Sequence, residues 1–314
     1  MGHYSRCKRV AKAISLHYQD DCNINFQGDL KPRLQEEIAS LDWKYLPKTA
    51  PLNLAPNNVA ILDSYTITQT ELDHIRLHHH ATVFIDDFNR HDFSNIDLVI
   101  NFRFGYNFDD YHVNRGCFGL EYFPADLDMI KLREEALENT APLADPINSI
   151  LLYPGGLSSL SVQTIINGID AHLSGITILV LSGLNDQVGG LLSKHNMIKI
   201  IDISDSIAKV VHQADAVICS GGLIKYEAGF CLTPNACINQ TIDQCDDTAI
   251  LANANLTYNF GLEENLHKEP EKFMKNMGEL FSVEMRLKQK ESMKLSYKTA
   301  STFNIATAII ELSA

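Results

Sequence analysis

Short apolar runs alternate with amphipathic stretches throughout the second half of the chain. The runs SILLYPGG, ITILVLSG, IKIIDIS, AVICS and NACIN are rich in β-branched residues and apolar on both faces, which is typical of central parallel strands. The stretches between them, SLSVQTIINGIDAHL, QVGGLLSKHN, DSIAKVVHQAD and GGLIKYEAGFCL, show helical spacing. This alternation predicts a parallel sheet wrapped by helices.

The first half repeats this pattern more weakly. NVAILDSY, ATVFIDDF and DLVINFR are predicted strands, and TQTELDHIRLHH is a predicted helix between the first two. Residues 20–57 have poor periodicity and several prolines, so no element is predicted there. From the neighbourhood of Glu269 to the end, the pattern is helical without an evident strand.

The chain opens with an amphipathic helix over residues 5–18, in which apolar side chains recur at helical spacing. This places His3 at a helix N-terminus. A glycine-histidine turn of this kind normally follows a strand, yet only Met1 precedes it.

Two domains fit the length of 314 residues. The stretch TAPLADPIN carries two prolines and little apolar content, which favours a linker near residues 139–148. We therefore expect an N-terminal domain over 1–142 and a C-terminal domain over 143–314. Ligands of open parallel sheets bind at the carboxyl ends of the strands, so we expect the site in a cleft between the two sheets.

The amino-acid composition argues against several classes of protein. The chain is 45% hydrophobic, with 26 basic and 39 acidic residues and a net charge of -13, which disfavours nucleic acid as a partner. No apolar run has the length of a membrane span and no signal peptide is evident, so a cytoplasmic protein without membrane contact is expected. Seven cysteines without a CxxC pair argue against a disulfide framework and a closed zinc site.

The segment ICSGGLIKYEAG is the most informative motif. A strand ends at Cys219, a turn without bulky side chains follows at Ser220–Gly222, and a helix begins, so a diphosphate has room to approach backbone amides. Glu227 is placed to accept hydrogen bonds from ribose hydroxyls. The alternative is a plain turn between strand and helix, in which glycine is common; the segment matches neither a Walker loop nor GxGxxG.

Two further loops of the second half follow the same logic. YPGGLSS places Gly155 and Gly156 before a helix cap, and INQTIDQCDD places Asp243 and Gln244 in a polar loop after a buried strand. These loops could contact the phosphate or the sugar of a ligand. The alternative is that they are ordinary polar loops that face water.

Carboxylates end the predicted strands of the first half. Asp63, Asp86 and Asp87 are expected to bind sugar hydroxyls, position a histidine or act as a base, or else only to cap the next helix. Consecutive side chains at His78–His80 point in different directions, which disfavours a shared metal ion. An imidazole side chain can accept a proton from water, so His3 is a candidate general base.

In order along the chain, GHYSRC, LDSY, IDDF, GCFGLEYFPADL, YPGGLS, SGGLIKYEAG and the DQ pair resemble the UDP-2,4-diacetamido-2,4,6-trideoxy-β-L-altropyranose hydrolases (PseG) of pseudaminic acid synthesis and their spore-coat polysaccharide relatives. The resemblance covers about residues 1–262. It implies a GT-B fold of two Rossmann-like domains, related to the MurG glycosyltransferases. It also implies metal-independent release of UDP by water attack at the anomeric carbon, with no cofactor, in surface polysaccharide synthesis such as flagellin glycosylation.

The resemblance also implies roles for individual residues. His3 corresponds to the catalytic histidine of a GxGHxxR motif, which Arg6 and Cys7 continue. The sugar side of the site is then expected to include Arg6, Asp63, Tyr65, Asp87 and Tyr122. The nucleotide site corresponds to Gly155, Gly156, Ser220, Gly221, Gly222, Glu227, Asp243 and Gln244.

Relatives of this kind have a strand and a glycine-rich turn ahead of the histidine, so the resemblance implies that the first strand of the N-terminal domain is missing from this chain. Two other functions stay open: transfer of the sugar from a UDP-sugar donor to another acceptor, and a non-catalytic nucleotide-sugar-binding remnant. The sequence does not define the oligomeric state.

Overall fold

The computed structural model describes residues 2–18, 22–50, 58–139, 143–181, 190–201 and 207–312. The chain divides into two compact units, each built on parallel strands with helices. Unit 1 comprises Met1–Phe102, Tyr106–Pro124 and Ser301–Ala314, and unit 2 comprises Arg103–Gly105 and Ala125–Ala300.

Unit 1 contains two parallel sheets. Its elements up to residue 122 are α1 (Gly2–His17), β1 (Asn25–Gly28), α2 (Pro32–Ser40), β2 (Lys44–Pro47), β3 (Val59–Leu62), α3 (Gln69–His78), β4 (Ala81–Ile85), β5 (Leu98–Asn101), β6 (Gly116–Phe118) and the 3-10 helices Phe108–Asp110 and Leu120–Tyr122. In the described residues, β3, β4, β5 and β6 form one sheet in that order, and β1 pairs with β2.

The described strands of unit 2 form one parallel sheet. Its elements are α4 (Leu127–Glu138), β7 (Ser149–Tyr153), α5 (Ser159–His172), β8 (Thr177–Leu181), β9 (Met197–Ile201), α6 (Ile207–Gln213), β10 (Ala216–Ser220), α7 (Ile224–Phe230), β11 (Asn235–Asn239), α8 (Ile242–Asn253), β12 (Tyr258–Leu262), α9 (Asn265–Lys268), α10 (Pro270–Phe281) and α11 (Val283–Ser296). The strand order is β12-β11-β10-β7-β8-β9. The central strands β10 and β11 are buried at every position, as their two apolar faces predict.

The last helix, α12 (Ser301–Ile310), belongs to unit 1 and corrects the predicted domain division. It packs against α1, and its Ile305 and Ile309 join Val10 and Ile100 in the hydrophobic core of unit 1. A helix without a following strand gives no sign of which sheet it covers, so sequence patterns alone predict residues 143–314 as one domain.

Most predicted elements of the second half are present, and α1 begins at Gly2, so that His3 lies in its first turn. The weakly periodic residues 20–57 nevertheless contain β1, α2 and β2 in their described part. Four-residue strands are too short to show a period, which is why the sequence did not predict them.

One predicted helix is wrong where the structure describes it. QVGGLLSKHN begins outside the described residues, and its part from residue 190 onward is not helical. The Asp170 carboxylate instead accepts hydrogen bonds from the Lys194 backbone amide at 2.7 Å and from Asn196 Nδ2 at 2.8 Å, which holds this segment as a loop. The predicted linker at residues 139–148 lies partly outside the described residues.

Candidate functional site

Unit 1 gathers polar residues from three of its elements. His3 and Arg6 lie one turn apart on α1, Asp63 and Tyr65 follow β3, and Asp87 follows β4. Because β3 and β4 are neighbouring parallel strands, their carboxyl ends lie at the same edge of the sheet. We call His3, Arg6, Asp63, Tyr65 and Asp87 the Arg6 cluster.

Arg6 holds the two carboxylates of the cluster. Its Nε and Nη2 donate to Asp63 at 2.9 and 2.6 Å, and its Nη1 donates to both oxygens of Asp87 at 2.7 and 2.8 Å. The three side chains are almost fully buried. Burial disfavours the charge on Arg6, but the carboxylates of Asp87 and Asp63 outweigh it and raise the pKa of the guanidinium. The cation is therefore permanent.

His3 contacts the same carboxylate through one ring nitrogen. Its Nδ1 bonds to Asp63 Oδ1 and lies 3.2 Å from Arg6 Nη2, while 38% of the side chain is exposed. A carboxylate acceptor favours the tautomer with the proton on Nδ1. In this tautomer Nε2 carries the lone pair, so the imidazole can accept a proton from a water molecule.

Tyr65 joins the cluster at its exposed side. Its hydroxyl donates to Asp87 Oδ2, and its ring packs edge-on against the His3 ring with the centroids 4.3 Å apart. Burial of the hydroxyl and the Asp87 carboxylate raise the pKa of Tyr65, which keeps the phenol protonated. Tyr65 is 56% exposed, so it can contact a ligand.

Other residues singled out in the first half lie elsewhere. Tyr122 packs against the hydrophobic core of unit 1, and none of the contacts described for it joins the Arg6 cluster. Asp86 accepts hydrogen bonds from the backbone amides of Phe88 and Asn89, so it organises the turn after β4. The three consecutive histidines bond to separate carbonyls: His78 to His74, His79 to Ile75 and His80 to Leu312.

Three loops of unit 2 meet at the carboxyl ends of β7, β10 and β11, which are adjacent in the sheet. We call them the glycine loops, and they contain Gly155–Gly156, Ser220–Gly222 and Gln240–Gln244. A Cβ on Gly155 would lie 2.1 Å from Ser220 Oγ, and one on Gly156 would lie 2.8 Å from Gln240 Nε2. The predicted residues of three separate loops are therefore neighbours, and a side chain at Gly155 or Gly156 would require the Ser220 or Gln240 side chain to move.

The turn at Ser220–Gly222 has a packed side and an open side. A Cβ on Gly221 would lie 2.3 Å from Asn239 Oδ1, whereas a Cβ on Gly222 would meet no atom within 4 Å. The Gly222 amide donates to the Ser220 carbonyl at 2.8 Å, so this amide is engaged within the turn. Space for a ligand is thus available at Gly222.

The remaining nucleotide-side candidates lie on the helices that follow. Glu227 is 7% exposed and lies on α7. Burial of the Tyr153 hydroxyl on β7 raises the pKa of that hydroxyl, and the charge of Glu227 raises it further. Gln244 Oε1 accepts from the Gln240 amide at 2.9 Å, and Asp243 is exposed in the first turn of α8. The structure thus places Gln244 within the glycine loops.

A carboxylate occupies the N-terminus of α5, which the sequence did not predict. Glu263 Oε1 accepts from both the amide and the hydroxyl of Ser158 at 2.8 Å. Burial alone would raise the pKa of Glu263, but hydrogen bonds from Ser161 and Ser158 lower it, so the carboxylate is ionised. Since Glu263 follows β12, no local pattern signals this contact.

A buried ion-pair network lies beneath the Ser220–Gly222 turn. Lys225 Nζ donates to the Gly221 carbonyl at 2.9 Å and pairs with Asp247 at 2.8 Å, and Arg103 Nε also donates to Asp247 at 2.8 Å. Burial opposes ionisation of Asp247, but Lys225 and Arg103 lower its pKa. Neither Lys225 nor Asp247 stands out in sequence, because each lies within a helical pattern where charged residues usually face water.

Comparison of whole structures identifies the architecture. The MurG structure from Acinetobacter baumannii matches with a TM-score of 0.66 at 12% identity, covering 99% of this chain and 96% of that one. A glycotransferase of kitacinnamycin matches with a TM-score of 0.56 at 12% identity, covering 99% and 95%. UDP-GlcNAc 2-epimerase from Neisseria meningitidis, bound to UDP-GlcNAc, matches with a TM-score of 0.52 at 9% identity, covering 98% and 97%.

The chain has the GT-B fold. This confirms the predicted fold class with its two Rossmann-like domains, and at these identities the likeness shows the fold alone. No protein-family model matches the chain, and no curated protein matches it.

The Arg6 cluster lies at the carboxyl edge of the β3–β6 sheet in unit 1, and the glycine loops lie at the carboxyl edge of the sheet in unit 2. Open parallel sheets bind their ligands at this edge. Among the helices that the structure describes, none is long and apolar enough to cross a bilayer.

Proposed function

We propose that this chain hydrolyses a UDP-linked acetamido-deoxy sugar at the anomeric carbon and releases UDP and the free sugar. The observation that carries the proposal is the contact of His3 Nδ1 with Asp63, because it leaves Nε2 as a base on a partly exposed ring. The likeness in fold to a UDP-GlcNAc 2-epimerase bound to UDP-GlcNAc supports a UDP-sugar as ligand.

In the proposed reaction, His3 Nε2 takes a proton from water while the water oxygen bonds to the anomeric carbon. The bond from that carbon to the diphosphate oxygen breaks, and its electrons leave with UDP. Asp63 stabilises the imidazolium that forms, and Arg6 fixes Asp63. The proton returns to solvent after UDP leaves.

We assign nucleotide binding to unit 2. The open space at Gly222 gives a diphosphate room to approach the backbone, and Glu227 is the candidate partner of the ribose hydroxyls. Gly155, Gly156, Asp243 and Gln244 complete the proposed nucleotide site of unit 2. We assign Arg6, Asp63, Tyr65 and Asp87 of unit 1 to sugar binding. Tyr122 stays a prediction of the resemblance, as does the place of the reaction in pseudaminic acid or surface polysaccharide synthesis.

The decisive experiment incubates the purified chain with UDP-GlcNAc and with UDP-linked diacetamido sugars and measures UDP and free sugar. The proposal expects both products in equal amounts, with ¹⁸O from labelled water in the sugar. His3→Asn is expected to lower the rate about 10²-fold or more while the affinity for UDP stays the same. His267→Asn, which removes a histidine of unit 2, is the matched control.

Other outcomes separate the alternatives. Release of UDP only when an acceptor alcohol is supplied would favour sugar transfer. Binding of UDP without turnover of any of these sugars would favour a non-catalytic binder, and an undiminished rate in His3→Asn would remove His3 as the base.

A further inference from the structure

The turn after β4 carries two residues that the proposed chemistry does not use, Phe88 and Arg90. The Arg90 guanidinium carbon lies 4.4 Å from the centroid of the Phe88 ring, in cation-π contact. The Phe88 ring centroid lies 5.3 Å from that of Tyr65, with the ring planes at 55°. We call Tyr65, Phe88 and Arg90 the aromatic corner.

The backbone that carries this corner is held by several hydrogen bonds. The Asp86 carboxylate accepts from the amides of Phe88 and Asn89 at 3.0 and 2.6 Å and from the Tyr111 hydroxyl at 2.6 Å. Asn89 has a φ of 51°, and its side chain donates to the Asp110 carbonyl at 2.6 Å. A turn fixed in a left-handed conformation by so many contacts presents Phe88 and Arg90 in a defined geometry.

The aromatic corner is continuous with the Arg6 cluster. Tyr65 belongs to both, since its ring lies 4.3 Å from His3 on one side and 5.3 Å from Phe88 on the other. The path from the imidazole to the guanidinium of Arg90 therefore consists of two ring-to-ring contacts and one cation-π contact. A sugar ring bound at His3 would therefore lie beside Tyr65, which is also part of the corner.

The chemistry of the corner defines the substituent. Two rings meeting at an angle provide an apolar surface for a methyl group, and a guanidinium offers only donors, which suit a carbonyl oxygen. Asp63 and Asp87, the carboxylates next to the corner, are already paired with Arg6. They therefore do not require a ligand with a positive charge. An acetamido group combines a methyl group and a carbonyl oxygen.

We propose that the aromatic corner is the specificity site for an acylamino group of the sugar. The methyl group packs on Tyr65 and Phe88, and the carbonyl oxygen accepts a hydrogen bond from Arg90. This assignment rests on the proposed function for the position of the sugar at His3, but it makes a claim about binding that is measurable without turnover.

The test is saturation-transfer NMR on the full chain with free N-acetylglucosamine and free glucose as probes. In the unaltered chain we expect the acetyl methyl protons to receive the strongest saturation and N-acetylglucosamine to bind more tightly than glucose. Arg90→Ala should weaken the binding of N-acetylglucosamine about tenfold, which is the effect of losing one hydrogen bond to a charged donor. The binding of glucose should stay unchanged. Phe88→Ala should abolish saturation of the methyl group, and Phe88→Tyr, which keeps the ring, should restore it.

Arg76→Ala is the matched control, because Arg76 lies on α3 and bonds to the Asn95 carbonyl outside the corner. No methyl saturation in the unaltered chain, equal binding of the two sugars, or an unchanged preference in Arg90→Ala would overturn the inference. UDP release separates the two proposals. Acetamido binding without UDP release contradicts the hydrolase alone, and UDP release without acetamido preference contradicts the aromatic corner alone.

Discussion

Arg6 and Asp63 share two hydrogen bonds, from Nε at 2.9 Å and from Nη2 at 2.6 Å, although one residue lies on the first helix and the other follows β3. The guanidinium fork matches the carboxylate in the geometry that makes such pairs strong. With the third nitrogen Arg6 also holds Asp87, so a single side chain fixes the relative positions of both carboxylates.

Arg6→Met should therefore destabilise the fold strongly, because two buried carboxylates lose their cation. We expect a loss of about 3–5 kcal/mol in the free energy of unfolding, measured by urea denaturation. Lys268→Met, which removes an exposed ion pair with Glu264, should cost less than about 1 kcal/mol. A similar small loss for both variants would contradict the role assigned to Arg6.

Gly222→Ala separates nucleotide binding from stability. A Cβ at Gly222 meets no atom within 4 Å, so the fold should keep its stability, but the methyl group would occupy the space proposed for the diphosphate. We expect calorimetry to show that the affinity for UDP falls at least about tenfold. Gly28→Ala, at a glycine of unit 1 with equally open surroundings, should leave UDP binding unchanged. Unaltered affinity in Gly222→Ala would exclude this turn from the nucleotide site.

Asp247 should make stability depend on pH in the acid range. Its pKa in the folded chain lies below the ordinary value of 3.8 because, despite burial, Lys225 and Arg103 favour the carboxylate. The ion pairs therefore stabilise the fold fully above this value, and their contribution falls as the pH drops below about 4. Urea denaturation between pH 3 and 7 should show the unaltered chain losing its advantage over Asp247→Asn on acidification. A difference independent of pH would contradict the assignment.

Arg133 should stabilise unit 2 through backbone carbonyls. It is 1% exposed on α4 and donates to the carbonyls of Phe230 at 2.8 Å and Tyr297 at 2.7 Å, at the ends of α7 and α11. Arg133→Met leaves both acceptors buried, and we expect a loss of about 2–4 kcal/mol in the free energy of unfolding. Lys131→Met on the same helix removes a largely exposed side chain and should change stability by less than about 0.5 kcal/mol. Equal effects would show that the carbonyl contacts of Arg133 contribute little.

Glu263→Gln should weaken the start of α5. The carboxylate that accepts from Ser158 sits where the helix dipole favours a negative charge, so we expect a loss of about 1 kcal/mol in thermal or urea denaturation. Glu264→Gln, at the neighbouring exposed position, is the control. If Glu263→Gln were no less stable than this control, the contact would have no energetic role as a cap.

Much of the fold was predictable from local patterns. The strands of unit 2 that are buried on both faces, such as β10 and β11, show continuous apolar runs, and their alternation with helices indicates a parallel sheet. Asp63 and Asp87 were predicted to lie at strand ends, and because β3 and β4 are parallel neighbours the structure places them together. Short strands such as β1 and β2 left no periodic signal.

Local patterns were sufficient to predict the alternation of strands and helices, the glycine turns after buried strands and the position of His3 at a helix N-terminus, because these depend on neighbours within a few residues. Tertiary packing was needed to show that Arg6 bridges Asp63 and Asp87, that Glu263 contacts the start of α5, that Phe88 and Arg90 extend the surface beside Tyr65, and that α12 belongs to unit 1. Each of these relationships joins residues on different elements, and their contacts depend on strand order and helix packing, which hydrophobic periodicity does not encode.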